Sequence, residues 1–150
     1  MQKFVTRGIL PQNGSRSAPF SEGGNRLPLA VLIVDDSPTI RGFAKVFLKP
    51  LGVEVREAED GAQALEIVRK SMPAVAIVDV HMPGMDGLSF TREVRGDAKL
   101  AGLPIVLLTG EANAELREKG RLAGATDFLG KPLKGPELQA MVKRFLGTAA

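Results

Sequence analysis

The sequence predicts an α/β protein built on a doubly wound, parallel sheet of five strands. From residue 28 onward, apolar runs of strand length alternate with amphipathic segments of helical length. Several of the runs are apolar without interruption, which is typical of parallel strands that are covered on both faces. Gly, Pro, Asp or Asn separates the segments. With 150 residues, the chain is long enough for one domain of this class.

The first two strand–helix units follow directly from this pattern. Residues 29–34 are all apolar and predict a buried strand. Ser37 is a suitable N-cap and Pro38 suits the first helical position, and apolar residues at helical spacing follow. Residues 53–58 alternate in polarity and predict a second strand. Asp60 is then the predicted N-cap of a second helix.

The rest of the chain repeats the alternation three more times. The remaining strands are predicted at residues 74–80, 105–109 and 126–130, and the remaining helices at residues 86–94, at about 112–123, and from a start with Pro136 at the first helical position. No internal repeat of fixed period is present, so a solenoid is excluded.

Composition and charge exclude several classes of function. The absence of Cys excludes disulfides and thiol chemistry, and a single His is too few for the clusters that build most catalytic zinc sites. Residues 1–27 carry the whole net charge of +3, whereas residues 28–150 are neutral, which argues against nucleic-acid binding. We expect residues 1–27 to form a flexible basic extension and residues 28–150 to form the domain. Without a signal peptide or membrane span in the sequence, we expect a cytoplasmic protein with no membrane insertion.

Polar side chains end four of the predicted strands. These residues are Asp35, Asp36, Asp79, Thr109 and Lys131. Ligands of doubly wound sheets bind beyond the carboxyl ends of the strands, so we expect the five side chains to converge there. Clustered carboxylates suit Mg²⁺, and a buried Asp is a competent nucleophile for forming an aspartyl-phosphate. Each residue alone has an ordinary structural explanation, and only their joint occurrence predicts a magnesium-assisted phosphoryl acceptor.

Four segments of residues 29–146 resemble the receiver domain of two-component response regulators. They are VLIVDDSPTIR, AIVDVHMPGMDGL, PIVLLTG and GATDFLGKPL, in the family's order and with its approximate spacing. The resemblance implies a flavodoxin-like or CheY-like (βα)5 fold with the strand order 2-1-3-4-5. It also implies a bacterial signalling protein of a phosphorelay, a phosphoprotein with no enzymatic activity beyond its own phosphoryl uptake and autodephosphorylation.

The resemblance further implies a role for individual residues. Asp79 would accept the phosphoryl group from a histidine kinase or a phosphotransfer protein. The Mg²⁺ ligands would be Asp35, Asp36, Asp79 and the main-chain carbonyl of His81. Lys131 would pair with the phosphoryl group.

A second group of residues would transmit or support the reaction. Thr109 would move toward the phosphoryl group, and the aromatic side chain of Phe128 would turn inward as the switch, although many family members carry Tyr there. Pro132 would follow a cis peptide bond that directs the preceding lysine into the site. Gly110 would leave the pocket open, and Glu111 would flank its entry.

The resemblance predicts a single-domain response regulator that signals through a changed protein-binding surface. We expect an unknown downstream protein to bind the face of helix 4, strand 5 and helix 5, around Phe128, Ala123, Lys134 and Met141. Two alternatives from other classes remain open. One is a pseudo-receiver that binds partners without phosphorylation, and the other is a small haloacid-dehalogenase-like phosphatase, for which His81 stands where that family has a second Asp. A flavodoxin-like electron carrier is disfavoured because two acidic residues follow the first strand.

Overall fold

A computed structural model describes residues 29–110 and 114–147 of the chain. A parallel sheet of five strands in the order β2-β1-β3-β4-β5 forms its centre, which confirms the predicted fold class and strand order. The strands are β1 (Ala30–Val34), β2 (Glu54–Ala58), β3 (Val75–Asp79), β4 (Ile105–Thr109) and β5 (Asp127–Gly130). The helices are α1 (Pro38–Leu48), α2 (Gly61–Lys70), α3 (Gly87–Arg95), α4 (Ala114–Ala123) and α5 (Gly135–Lys143), and a short 3₁₀ helix (Lys49–Leu51) follows α1.

Polar side chains cap the first three helices at their N-termini. The Ser37 hydroxyl accepts a hydrogen bond from the Ile40 amide, and the Asp60 carboxylate accepts one from the Gln63 amide. Asp86 caps α3 in the same way. Because the first amides of a helix have no partner within the helix, each cap fixes where its helix begins. The N-caps predicted at Ser37 and Asp60 are confirmed.

The ends of several elements differ slightly from the prediction. Helix α5 begins at Gly135, so Pro136 stands at the second helical position rather than the first. A proline is accepted there because amides of the first turn need no partner within the helix. Strand β3 is shorter than the predicted 74–80, although the Ala74 and Val80 amides still donate to neighbouring strands. The predicted extension at residues 1–27 and the predicted start of the fourth helix lie outside the described residues.

Alternate residues of each central strand enter two separate cores. Leu32 of β1 and Leu107 of β4 lie in the core that α2 and α3 cover. Ile33 and Leu108, one position along, lie in the core that α1 and α5 cover. Side chains of a strand alternate between its two faces, so an uninterrupted apolar run supplies both cores. Every residue of β1, β3 and β4 is buried.

The start of α3 lies directly against the end of β3. A Cβ atom at Gly87 would overlap the main-chain carbonyl oxygen of Asp79, so glycine allows this close approach. The Gly87 amide also donates to the Val80 carbonyl at 3.1 Å. These contacts hold the segment after β3 at the carboxyl edge of the sheet. In the part of the chain that is described, no helix has both the length and the apolar character needed to cross a membrane.

Candidate functional site

Three carboxylates meet at the carboxyl edge of the sheet. Asp35 and Asp36 follow β1 directly, and Asp79 is the last residue of β3, the neighbouring strand. One carboxylate oxygen from each residue lies within 4.8 Å of the others. The parallel register of β1 and β3 brings these residues together, as the sequence predicts for the ends of adjacent strands.

The three carboxylates differ sharply in exposure. Asp35 and Asp79 are 1% and 3% exposed, respectively, whereas Asp36 is exposed to solvent. A carboxylate that loses its hydration must be compensated by hydrogen bonds, by a positive charge or by a metal ion. The need for compensation therefore falls on the two buried carboxylates, whereas Asp36 is open to solvent.

Asp35 is only partly compensated by the protein. Its Oδ1 accepts a hydrogen bond from the Ser37 amide at 2.9 Å. Among the described residues, its buried Oδ2 has no hydrogen-bond partner. Burial raises the pKa of Asp35, and the negative charge of Asp79 raises it further, against the lowering effects of the Ser37 amide and of Lys131. This carboxylate carries an oxygen that an added cation would satisfy.

Lys131, the residue directly after the edge strand β5, supplies positive charge to the site. Its Nζ lies 3.0 Å from Asp79 Oδ1 and 3.7 Å from Asp35 Oδ2. The Lys131 amide donates to the Thr109 carbonyl at 3.0 Å, which aligns the end of β5 with the end of β4. The Lys131–Pro132 peptide bond is cis. One ammonium group thus faces two buried carboxylates, with the exposed Asp36 beside them.

The donor set fits a magnesium ion. The three carboxylates offer oxygen ligands only, and Mg²⁺ prefers oxygen ligands and retains several waters. With Lys131 counted, these side chains carry an excess of negative charge, which a divalent cation would balance. Asp35 Oδ2, which accepts no hydrogen bond from the described residues and lies 3.7 Å from Lys131 Nζ, points to the same requirement. Asp35, Asp36 and Asp79 are therefore the side chains that could hold the ion.

His81 contacts this site through its main-chain amide. Its amide donates to Asp79 Oδ1 at 3.3 Å, the same oxygen that Lys131 contacts, and its side chain is exposed. Lys131 and the His81 amide thus contact the same oxygen of Asp79. Gly110 directly follows β4. A Cβ atom there would lie 3.7 Å from Lys131 Cβ, which is an ordinary van der Waals contact. Glu111 lies outside the described residues.

Thr109 and Phe128 occupy neighbouring strands on one side of the carboxylates. Thr109 is 3% exposed at the end of β4. Phe128 of β5 is half-buried, and its ring lies so close to α4 that a Cβ at Gly120 would come within 2.7 Å of Phe128 Cε1. The Arg117 guanidinium lies 5.3 Å from the ring centroid, within reach of a cation–π interaction. The ring is thus held between α4 and the sheet.

One residue of the predicted binding face is placed differently. Ala123 is only 7% exposed and belongs to the interior, so its assignment to a docking surface was wrong. The neighbouring Leu122 is 71% exposed on α4 instead. A helix turns by about 100° per residue, so adjacent positions face different directions. Lys134 is exposed at the start of α5, and Met141 is half-buried.

Sequence reasoning missed two residues that shape the site. Gly87 permits the contact between α3 and the Asp79 carbonyl, and Arg41 of α1 donates to the Asp35 carbonyl at 2.7 Å. The signal for Arg41 was its position in the first turn of a helix. A cation there opposes the helix dipole, so it needs an acceptor elsewhere.

Comparison with known proteins gives a consistent result. The sequence matches the family described as the response regulator receiver domain over residues 31–143. It is 38% identical over 116 residues to the sensor histidine kinase CheAY of Helicobacter pylori, covering 76% of this chain and 14% of that protein. It is 35% identical over 120 residues to the response regulator Rre1 of Synechocystis, covering 79% of this chain and 52% of Rre1. The chain therefore spans about half or less of the length of these curated relatives.

Solved structures show the same fold. The chemotaxis response regulator CheY4 of Vibrio cholerae is 38% identical and superimposes with a TM-score of 0.74, covering 79% of this chain and 99% of CheY4. The receiver domain of the sensor histidine kinase PA1611 from Pseudomonas aeruginosa is 33% identical with a TM-score of 0.74, covering 81% of this chain and 99% of that one. That structure holds a magnesium ion coordinated in its active-site cleft. The family match, these relatives and the shared fold show that the chain belongs to the response regulator receiver domain family.

Proposed function

We propose that the chain accepts a phosphoryl group on Asp79 from a histidine kinase or a phosphotransfer protein, in a reaction that requires Mg²⁺. The observation that carries this proposal is the arrangement around Asp79. It is a buried carboxylate with an ammonium at 3.0 Å and two further carboxylates within reach of one cation. The relatives named above include response regulators and sensor histidine kinases, which supports a donor of this class.

The contacts of Asp79 Oδ1 suggest which of the two carboxylate oxygens attacks. Lys131 and the His81 amide both contact Oδ1. Oδ2 would then attack the phosphorus atom of a phosphohistidine, forming the new O–P bond as the donor's P–N bond breaks. The electron pair of that bond leaves with the imidazole nitrogen, which takes up a proton. The product is an aspartyl-phosphate, and no water or external oxidant takes part.

Charge stabilisation is the main task of the surrounding residues. When bound by the three carboxylates and the His81 carbonyl, Mg²⁺ would neutralise charge that develops on the phosphoryl oxygens. Lys131 Nζ stands beside Asp79 and would transfer its ion pair from the carboxylate to a phosphoryl oxygen. Thr109, buried at the end of the adjacent strand, would hydrogen-bond another phosphoryl oxygen.

A change at Thr109 would reach the surface through Phe128. The two residues belong to adjacent strands, whose pairing places Thr109 opposite Gly130 and Leu107 opposite Phe128. Phosphorylation would bias an equilibrium between two arrangements of the Phe128 ring. A downstream protein would recognise the resulting face of α4, β5 and α5. On this proposal the protein is a signalling phosphoacceptor, not an enzyme with a separate substrate.

The proposal is tested by labelling with radioactive acetyl phosphate in the presence of Mg²⁺. We expect the wild-type protein to be labelled and Asp79→Asn to remain unlabelled, because the amide cannot act as the nucleophile. Asp60→Asn is the matched control. It makes the same chemical change at the N-cap of α2, away from the site, and Asn is as good an N-cap as Asp. Full labelling of Asp79→Asn would overturn the proposal. A wild-type protein that neither acetyl phosphate nor any kinase of its host labels would also overturn it, in favour of a pseudo-receiver.

A further inference from the structure

We propose that Arg41 is a positioning residue, which sets the magnesium affinity of the acidic site from outside it. Arg41 lies in α1 and contacts none of the three carboxylate groups of the site; it acts on the main chain that carries two of them. The inference rests on the proposed function insofar as the acidic site is taken to bind magnesium.

Arg41 links the loop after β1 to strand β2. Its Nη1 donates to the main-chain carbonyl of Asp35 at 2.7 Å, and its Nε donates to Glu57 Oε1 at 2.9 Å. The planar guanidinium can serve both acceptors at once because its donors point in fixed, divergent directions. The Arg41 side chain is 13% exposed; its bond to the Asp35 carbonyl is partly buried, whereas its bond to Glu57 is open to solvent.

Glu57 accepts from Arg41 with one oxygen and faces a second, more exposed cation with the other. Its second oxygen, Oε2, lies 3.1 Å from Lys45 Nζ. Hydrogen bonds from Lys45 and Arg41 lower the pKa of Glu57, so the carboxylate is charged at neutral pH. We call Arg41, Glu57 and Lys45 the charged triad. Each oxygen of its carboxylate has its own cationic partner.

The bond from Arg41 fixes the peptide group that joins Asp35 to Asp36. On one side of Asp35, its amide donates to the Ala58 carbonyl at 3.1 Å, which continues the sheet. On the other side, its carbonyl is held by Arg41. With both ends of the residue held, the loop cannot turn to separate the carboxylates, although their mutual repulsion favours separation. The exposed Asp36 follows directly and takes its direction from this peptide group.

The proposal predicts an effect opposite in sign to simple electrostatics. Arg41 is a cation near a cluster that binds a cation, so its charge alone would weaken magnesium binding, and removing it would strengthen binding. If Arg41 acts by holding the loop, removing it weakens binding instead, because the ligands are no longer preorganised. The direction of the change therefore separates a positioning role from a charge effect.

The test is a magnesium titration of the full chain, followed by amide chemical shifts of residues at the site. We expect Arg41→Ala to raise the dissociation constant for Mg²⁺ by about tenfold, the lower end of the range for residues that orient metal ligands. Lys45→Ala is the matched control, because it removes the same charge from the same helix and from the same Glu57, without a bond to the acidic loop. We expect it to leave the dissociation constant unchanged within about twofold.

Arg41→Lys provides a second variant that keeps the charge and disturbs folding less. One ammonium cannot bridge the Asp35 carbonyl and Glu57 in the geometry of the guanidinium, so we expect binding to weaken by about threefold. Unchanged or tighter binding in both Arg41 variants would overturn the inference. If the wild-type protein itself does not bind Mg²⁺, the magnesium requirement of the proposed function is refuted. If the wild-type protein binds Mg²⁺ and both Arg41 variants bind it equally well, only the positioning role of Arg41 is refuted.

Discussion

Two groups of charged side chains lie next to each other at one edge of the sheet, and they differ in how completely they are paired. In the charged triad, two cations flank one carboxylate, and both Glu57 oxygens have a partner. In the acidic site, Lys131 faces Asp35 and Asp79 together, and Asp35 Oδ2 has no hydrogen-bond partner among the described residues. Each oxygen of the Glu57 carboxylate thus has its own cation, whereas in the acidic site one lysine faces two buried carboxylates.

Burial strengthens this contrast. Glu57 keeps about a third of its surface in water, so its pairing changes the free energy of unfolding only modestly. Asp35 and Asp79 are almost fully buried, where an uncompensated charge costs considerably more. Buried titratable groups with a shifted pKa, such as Asp35, cluster at functional positions. The following three predictions test the contrast, beginning with the largest expected effect.

Replacing Lys131 should have the largest effect on stability. Lys131→Met removes the ammonium that faces two buried carboxylates, and we expect the free energy of unfolding without Mg²⁺ to fall by about 2 kcal/mol, below the range for fully buried pairs because the lysine is 28% exposed. Urea unfolding with and without Mg²⁺ measures this. Lys45→Met is the control, and an equal loss in both variants would contradict the contrast between the two clusters.

Removing one buried charge should stabilise the protein and abolish its response to magnesium. We expect Asp35→Asn to raise the free energy of unfolding without Mg²⁺ by about 1 kcal/mol, because the cost of burying this charge and its repulsion with Asp79 are both relieved. At a magnesium concentration ten times the dissociation constant, the wild-type protein should gain about 1.4 kcal/mol. The variant should gain little. Thermal unfolding across a magnesium series checks both, with Asp60→Asn as the control, and an undiminished magnesium response in Asp35→Asn would count against the site.

The charged triad should show a small, pH-dependent effect. The pKa of Glu57 lies below its ordinary value of 4.5, because of the hydrogen bonds from Lys45 and Arg41. Its stabilising contribution is therefore present above pH 4.5 and is lost as the pH falls through the lowered pKa of the folded state. We expect Glu57→Gln to cost less than about 1 kcal/mol at neutral pH. Urea unfolding from pH 7 to 3 should show the difference shrinking in acid, and a constant difference would contradict this origin.

The fold was predictable because its signal is spread over many residues. Whole apolar runs specify β1, β3 and β4, so a misjudged end residue did not change the sheet. The convergence of Asp35 and Asp79 followed from the rule that parallel strands end at one edge. How far each buried carboxylate is compensated could not be predicted from the sequence. It depends on which carboxylate oxygens Lys131 and the Ser37 amide contact in three dimensions.

Contacts between distant segments were beyond sequence reasoning. Nothing in the order of residues relates Arg41 to Glu57, which lie on a helix and on the edge strand beside it. Ala123 was named with the α4 face, but on a helix adjacent positions face different directions, and here Leu122 is exposed and Ala123 is buried. Glycine is unfavourable inside a helix, and the position of the Phe128 ring explains why Gly120 is found there: a Cβ atom would come too close to the ring.

The most direct test of the central claim is to locate the phosphoryl group chemically. Borohydride reduces an acyl phosphate on aspartate to homoserine and releases the phosphate, and mass spectrometry of the digested protein then identifies the position. After treatment with acetyl phosphate and Mg²⁺, we expect homoserine at position 79 alone. Homoserine at position 35 or 36, with Asp79 unmodified, would contradict the assignment of Asp79 as the phosphoryl acceptor.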